Sequence, residues 1–113
     1  MSLLTRLPFR SKSKLSKYES ALEDAFAQKT LYTTSADEVS TLSYVPAYIV
    51  VPDGTNANTD ITLPTAAADE GKVCTVVNND ALETVDVGGV TCAAATTTVI
   101  RFDGSNYVAL YSV

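Results

Sequence analysis

The stretch TTTVIRFDGSNYVALYSV, Thr96 to Val113, decides the fold class. Two runs rich in Thr, Val, Ile, Tyr and Phe flank Asp103, Gly104, Ser105 and Asn106. Branched and aromatic side chains pack well on a pleated surface, while Asp, Gly, Ser and Asn favour reversal of the chain. The stretch therefore reads as a β-hairpin, with strands at Thr96 to Phe102 and Tyr107 to Val113. Just upstream, Thr84 to Val87 alternates Thr, Val, Asp, Val, placing Val85 and Val87 on one face. Gly88 and Gly89 follow, where positive φ carries no Cβ penalty, and lead to Val90 and Cys92 as a second tight hairpin.

Working towards the N-terminus, Lys72 to Asn78 holds Val73, Cys74, Val76 and Val77 and reads as a strand closed by Asn78, Asn79 and Asp80. Ala66 to Gly71 is a polar, alanine-rich turn. Ile61 to Leu63 is a short strand ended by Pro64, and Asp53, Gly54, Asn56, Asn58 and Asp60 form a turn cluster. Tyr44 to Val51 opens the strand-rich part, with Pro46 suiting an edge position or a first strand residue. Thr30 to Ser43 is rich in Ser and Thr without sustained periodicity and reads as a linker or edge segment. Six or seven short strands at roughly ten-residue spacing predict a mostly β fold: a small antiparallel β-sandwich, barrel or jelly roll.

The first third differs in kind. Leu15, Tyr18, Leu22, Ala25 and Phe26 recur at three- and four-residue steps, which places them on one helical stripe. Ser16 and Glu19 have capping-box spacing, as do Ser20 and Glu23. A helix over about 16–28 is expected, and one this short must dock on something to persist. Residues 1–14 mix Leu3, Leu4, Leu7 and Phe9 with cations and Pro8, and read as an arm that orders on a partner. The expected organisation is a basic arm, short helix and linker over 1–43 and a β knob over 44–113.

Charge follows the same division. The net charge is −5, yet five of the eight Lys and Arg residues, Arg6, Arg10, Lys12, Lys14 and Lys17, lie in the first seventeen positions. The arm is thus about +5, and the remainder, with three cations against thirteen acids, about −10. Interleaved leucines favour a protein partner, with cations steering the approach and the apolar side chains anchoring it. Nucleic acid is the other electrostatic reading of the arm, but an acidic remainder would repel a polyanion. The longest apolar run, Val45 to Val51, is far short of a membrane span, and the order of apolar and basic residues at the start does not suit a signal peptide.

Catalytic, cofactor-binding and metal-binding residues are not expected. The sequence has no His, and Cys74 and Cys92 lack CxxC spacing and read as small apolar core residues, with a disulfide as the lesser alternative. Asp69 and Glu70 read as solvated loop acids. The 53–60 cluster is oxygen-rich but lacks the glycine and terminal Glu of an EF-hand, and Gly88 and Gly89 lack the helix and Lys of a phosphate loop. Tyr44, Tyr48, Tyr107 and Tyr111 fall in predicted strands; buried rings with wet hydroxyls are the first reading, and a subunit or glycan-binding surface the second.

From Asp60 onward the chain resembles a recurring β module of bacteriophage fibre, spike and head-decoration proteins. The resemblance is carried by Ile61 to Pro64, Gly71 and Lys72 opening a strand, Asn78 and Asn79, the Val85 to Val87 strand, and the hairpin Phe102 to Tyr107. It implies a homotrimer. The absence of long shaft repeats makes the chain look like a capsid cement (decoration) protein, made in the host cytoplasm and placed on the virion surface, without cofactor or membrane. The expected partner is the major capsid protein. Arg6, Arg10, Lys12, Lys14 and Lys17 would supply charge complementarity, Leu3, Leu4, Leu7 and Phe9 the anchors, and Leu15, Tyr18, Leu22 and Phe26 a docking stripe. A fibre or spike receptor-binding module and a small nucleic-acid-binding protein are the alternatives.

Overall fold

Short runs dominated by Val, Ile and Thr, broken every few residues by Gly, Pro, Asn or Asp, make many short strands rather than a few long ones. In the computed structural model of the protein, which describes residues 31–113, there are nine: β1 (Leu31–Thr33), β2 (Val39–Thr41), β3 (Tyr48–Val51), β4 (Asp60–Thr62), β5 (Val73–Asn78), β6 (Val85–Val87), β7 (Val90–Cys92), β8 (Thr96–Phe102) and β9 (Tyr107–Ser112). A 3₁₀ turn, Ala67–Asp69, links β4 to β5. The strands form a five-stranded sheet, β1-β3-β5-β8-β9, and a four-stranded sheet, β2-β4-β6-β7. The mostly β, sandwich-like expectation holds.

The chain passes from one sheet to the other at each of its first five connections, so β1, β3 and β5 pair in parallel, as do β2, β4 and β6. Three loose turns of a coil result. Pairing becomes antiparallel only at β5–β8, β6–β7 and β8–β9. This corrects the expectation of an antiparallel sandwich for the earlier strands. An arch that carries the chain to the opposite sheet returns it to the first sheet in the same direction, whereas the Gly88-Gly89 turn reverses it within one sheet.

Thr30 to Ser43, expected as a linker or edge segment, supplies the edge strand of each sheet, so the folded unit includes β1 and β2 as well as the expected knob. Pro46 lies outside β3, which is an internal strand between β1 and β5. Both hairpins read from the sequence are present: Gly88 and Gly89 have φ of 59° and 80°, and Asp103 Oδ1 accepts from the N–H groups of Ser105 and Asn106 in the last turn. The arm and the 16–28 helix lie outside the described residues.

The core lies between the sheets. Ile49, Val51, Cys74, Val76, Ile100 and Phe102 face Ile61, Val85, Val87 and Cys92, with Leu42, Leu63 and Tyr107 closing the margins. Without Trp, the largest fully buried side chain among the described residues is Phe102, whose ring centroid lies 4.8 Å from that of Tyr107. The Tyr107 hydroxyl donates to Pro64 O at 2.6 Å, so its one polar group is satisfied at the core margin. Burying each such Val, Ile or Phe side chain contributes roughly 1.5–3 kcal/mol relative to exposure.

Polar staples close one end of the coil. Asn78, 1% exposed at the end of β5, donates through Nδ2 to Glu83 O at 2.9 Å and Ala93 O at 3.1 Å, with Cys92 O at 3.3 Å, and its Oδ1 accepts from Asp80 N at 3.0 Å. Asp80 in turn accepts from Asn56 Nδ2 and from the N–H groups of Leu82 and Glu83. Asn56 also donates to Pro52 O and accepts from Thr59 Oγ1. Three loops are thereby tied together without unpaired groups among these side chains.

Candidate functional site

In a strand, alternate side chains point to opposite faces, so every inward core residue implies an outward neighbour. On the five-stranded sheet those outward neighbours align into rows. One row runs Leu31, Tyr48, Thr75, Val99, Tyr111 across all five strands. A second runs Thr33, Val50, Val77, Thr97, and is extended by Val113, which exchanges two backbone hydrogen bonds with Thr97. A third, shorter row holds Val73, Arg101 and Val108. Among the described residues this face carries one charged side chain, Arg101, and no acidic side chain.

Several of these side chains are open to solvent: Tyr48 is 52% exposed and Tyr111 59%, and Leu31, Val73, Val108 and Val113 are exposed as well. Val99 lies on the same outward row yet is only 8% exposed and stands outside the core cluster, so its neighbours on the face already fold over it. Of the four strand tyrosines, Tyr48 and Tyr111 thus belong to the outer surface, Tyr107 to the core margin, and Tyr44 precedes β3 half-buried.

The outer face of the four-stranded sheet is the opposite in character. Its row runs Val39, Asp60, Asp86, Thr91, with Thr41 beside Thr62. Asp86 accepts from Thr91 Oγ1 at 2.9 Å. One side of the sandwich is built to stay wet and the other is not, and an apolar patch spread over a whole sheet marks an interaction surface.

The titratable groups serve the fold. Burial pushes the Cys74 thiol up to about 12 and the Cys92 thiol up to about 11, and both cysteines are free and buried. Burial raises the Tyr107 hydroxyl to about 12. The Asp80 carboxyl is held below its ordinary range by the Asn56 amide and the Leu82 and Glu83 N–H groups, and Asp103 is lowered by those of Asn106 and Ser105. Asp69 is buried, not solvated as expected, and pairs with Lys72 Nζ at 2.7 Å.

The oxygen-rich 53–60 cluster does not converge. Asp53 Oδ1 accepts from Ala81 N, Asn56 turns inward to Asp80, Asn58 N donates to Asp37 Oδ1, and Asp60 stands on the outer face of β4. Among the described residues no group of three His, Cys, Asp or Glu side chains could hold a metal ion, and no helix is long and apolar enough to cross a membrane. A shallow depression of about 240 Å³ is lined by Thr34, Ser35, Asp53, Gly54, Thr55 and Asn56. It offers one carboxylate, Asp53, already engaged.

Every partner-binding residue read from the sequence, Leu3, Leu4, Arg6, Leu7, Phe9, Arg10, Lys12, Lys14, Leu15, Lys17, Tyr18, Leu22 and Phe26, lies outside the described residues. Of the apolar sheet face, sequence reading touched only Tyr48 and Tyr111, as candidates for a subunit or glycan-binding surface; the rest of the face was missed. Its signal was present in the near-continuous apolar runs of β3 and β5, which suit strands covered on both faces. Comparison with family models, with curated proteins and with solved structures finds no match.

Proposed function

We propose that this chain is a non-enzymatic, homo-oligomeric assembly module, and specifically a capsid cement (decoration) protein that binds the outer surface of a phage head and clamps neighbouring major-capsid subunits. The observation that carries the assembly reading is the segregation of surface character. One sheet face is apolar, the other is acidic, and the cations sit in the N-terminal segment. Residues 31–113 hold two cations, Lys72 and Arg101, against ten acids, a net −8, whereas residues 1–30 hold six cations against three acids, a net +3. The choice of a capsid as the target rests on the resemblance of the C-terminal half to head-decoration modules.

In this reading the basic arm steers onto an acidic shell surface, and Leu3, Leu4, Leu7 and Phe9 fill apolar pockets there. A ligand that binds only the mature shell stabilises it by mass action. Joining several arms in one oligomer multiplies weak contacts through effective concentration. The test is co-sedimentation with shells lacking the protein, comparing the full chain with one starting at Ser13. Binding by the full chain alone supports an arm-mediated clamp; binding by neither overturns the cement reading.

A second reading, a receptor-binding fibre or spike tip, draws on the exposed Tyr48 and Tyr111, since aromatic faces stack on sugar rings. Saturable binding on a glycan array, lost with Tyr48→Ala, would favour it.

A further inference from the structure

We infer that the outer face of the five-stranded sheet is the surface through which copies of this chain associate with one another. The inference rests on the homo-oligomeric reading above and assigns it a surface; attachment to a shell is a separate property with a separate readout.

Charge selects the occupant. Residues 31–113 carry a net −8, so two copies repel over most of their surfaces. On the four-stranded side an approach would set Asp60 and Asp86 against their counterparts. Among the described residues, the five-stranded face is the sheet surface without acidic side chains, and its one cation, Arg101, stands in the short end row between Val73 and Val108. Two copies meeting there bring none of the acidic side chains of the described strands together.

Area agrees. Strands of three, four, six, seven and six residues, at about 4.8 Å spacing and about 3.3 Å rise, make a face of roughly 400 Å² in projection. With the relief of the side chains, the accessible area exceeds this projection and comes near the ~600 Å² per partner at the lower end of stable interfaces. A lone helix, about 10–12 Å across with its side chains, would cover half of it. A second sheet, stacked about 10 Å away, covers it all. The relief is suited to a copy, since Tyr48 and Tyr111 flank a lower strip formed by Thr75 and Val99. Exposed tyrosines in an uncharged, β-branched surround have the composition of an interface centre.

The test is the mass of the full chain in solution, by sedimentation equilibrium, for the unaltered protein, for Tyr48→Asp and Tyr111→Asp, and for Thr62→Asp on the opposite face as a control. The unaltered chain and the control are expected to be oligomeric at about 10 μM, near the weak end of the range that specific interfaces span. Each tyrosine variant is expected to raise the dissociation constant at least ~30-fold, the effect of losing an aromatic hot spot. A monomer at every concentration, or an oligomer indifferent to both tyrosine changes, overturns the inference. Should a variant lose its circular-dichroism signature, iodination of the unaltered chain reads the same contact. Protection of Tyr48 and Tyr111 at high concentration and its loss on dilution supports the interface; protection that persists in a monomer shows the N-terminal segment covering the face and overturns it. None of these readouts needs a shell.

Discussion

Asn78→Asp exchanges one atom type and tests how the coil is closed. Asn78 Nδ2 has two hydrogens to give and faces Glu83 O at 2.9 Å, Ala93 O at 3.1 Å and Cys92 O at 3.3 Å. A carboxylate there would point an oxygen at three carbonyls, so the group must take up a proton to fold. Its folded pKa then lies above the unfolded value of about 3.9, the folded state binds the extra proton, and stability falls as pH rises between them. The slope approaches ~1.4 kcal/mol per pH unit, capped near 4 kcal/mol at pH 7. Protonated, the carboxyl still donates one of the two bonds, leaving a pH-independent loss of about 1–2 kcal/mol. Asn78→Ala, by contrast, removes both donors and the acceptor for Asp80 N and should cost ~3 kcal/mol at any pH. For a domain with about 5–15 kcal/mol in total, this lowers Tm by roughly 15 °C. Urea unfolding of both variants and the unaltered chain at pH 4.5 and 7 measures the differences. A deficit for Asn78→Asp that does not change with pH, or an Asn78→Ala Tm within a few degrees of the original, would refute the staple.

Other expectations follow from the same geometry. An ideal Cβ at Gly88 would lie 3.0 Å from the Tyr107 ring and 3.3 Å from Leu63 Cδ1, whereas one at Gly89 meets nothing within 4 Å. Both glycines hold positive φ, so Gly89→Ala should cost ~1 kcal/mol from backbone strain, and Gly88→Ala should exceed it by a further ~1–3 kcal/mol of overpacking, read by thermal melts. Burial works against the Glu38 carboxylate, but hydrogen bonds from Ser40 Oγ, the Tyr32 hydroxyl and Ser35 outweigh it and lower its pKa. The stability it contributes is present above its unfolded pKa and lost as pH falls through the lower folded value. Glu38→Gln should therefore flatten the acid limb of a stability–pH profile below about pH 4.5, near the ordinary Glu range. Cys74 and Cys92 should resist a thiol reagent at pH 8 in the native protein and react at once in denaturant, since their raised pKa values and burial leave little thiolate.

Local chemistry made much of this protein readable. Turn residues and branched runs are signals within a few positions of one another, so the Gly88-Gly89 and Asp103-Asn106 hairpins, the β5 strand and the shared face of Val85 and Val87 could all be placed without tertiary information. The cysteines, read as small core residues, are free and buried in the structure. The charge polarity between the first seventeen residues and the rest is likewise a property of the sequence alone.

Pairing was not readable, because it is decided over distance. Successive rungs of the coil are 17 residues apart from Leu31 to Tyr48 and 27 from Tyr48 to Thr75 in one sheet, and 21 from Val39 to Asp60 and 26 from Asp60 to Asp86 in the other. Arches of unequal length leave no period, so a coil without a sequence repeat looks like a set of hairpins. Asn78 carried only a turn signal; its role as a staple depends on carbonyls brought to it by Glu83, Cys92 and Ala93. The two sheet faces show the same division. In YIVV and VCTVVN every position is apolar, Thr or Asn, so alternation alone does not say which side is core. By itself the sequence determined that this chain makes short strands, where several of them turn and where its charges lie, since those are contests among neighbouring residues. Only the tertiary structure decided that the strands wind between two sheets, and that Tyr48, Val99 and Tyr111 share one uncharged outer row, because that alignment exists only once distant strands are in register.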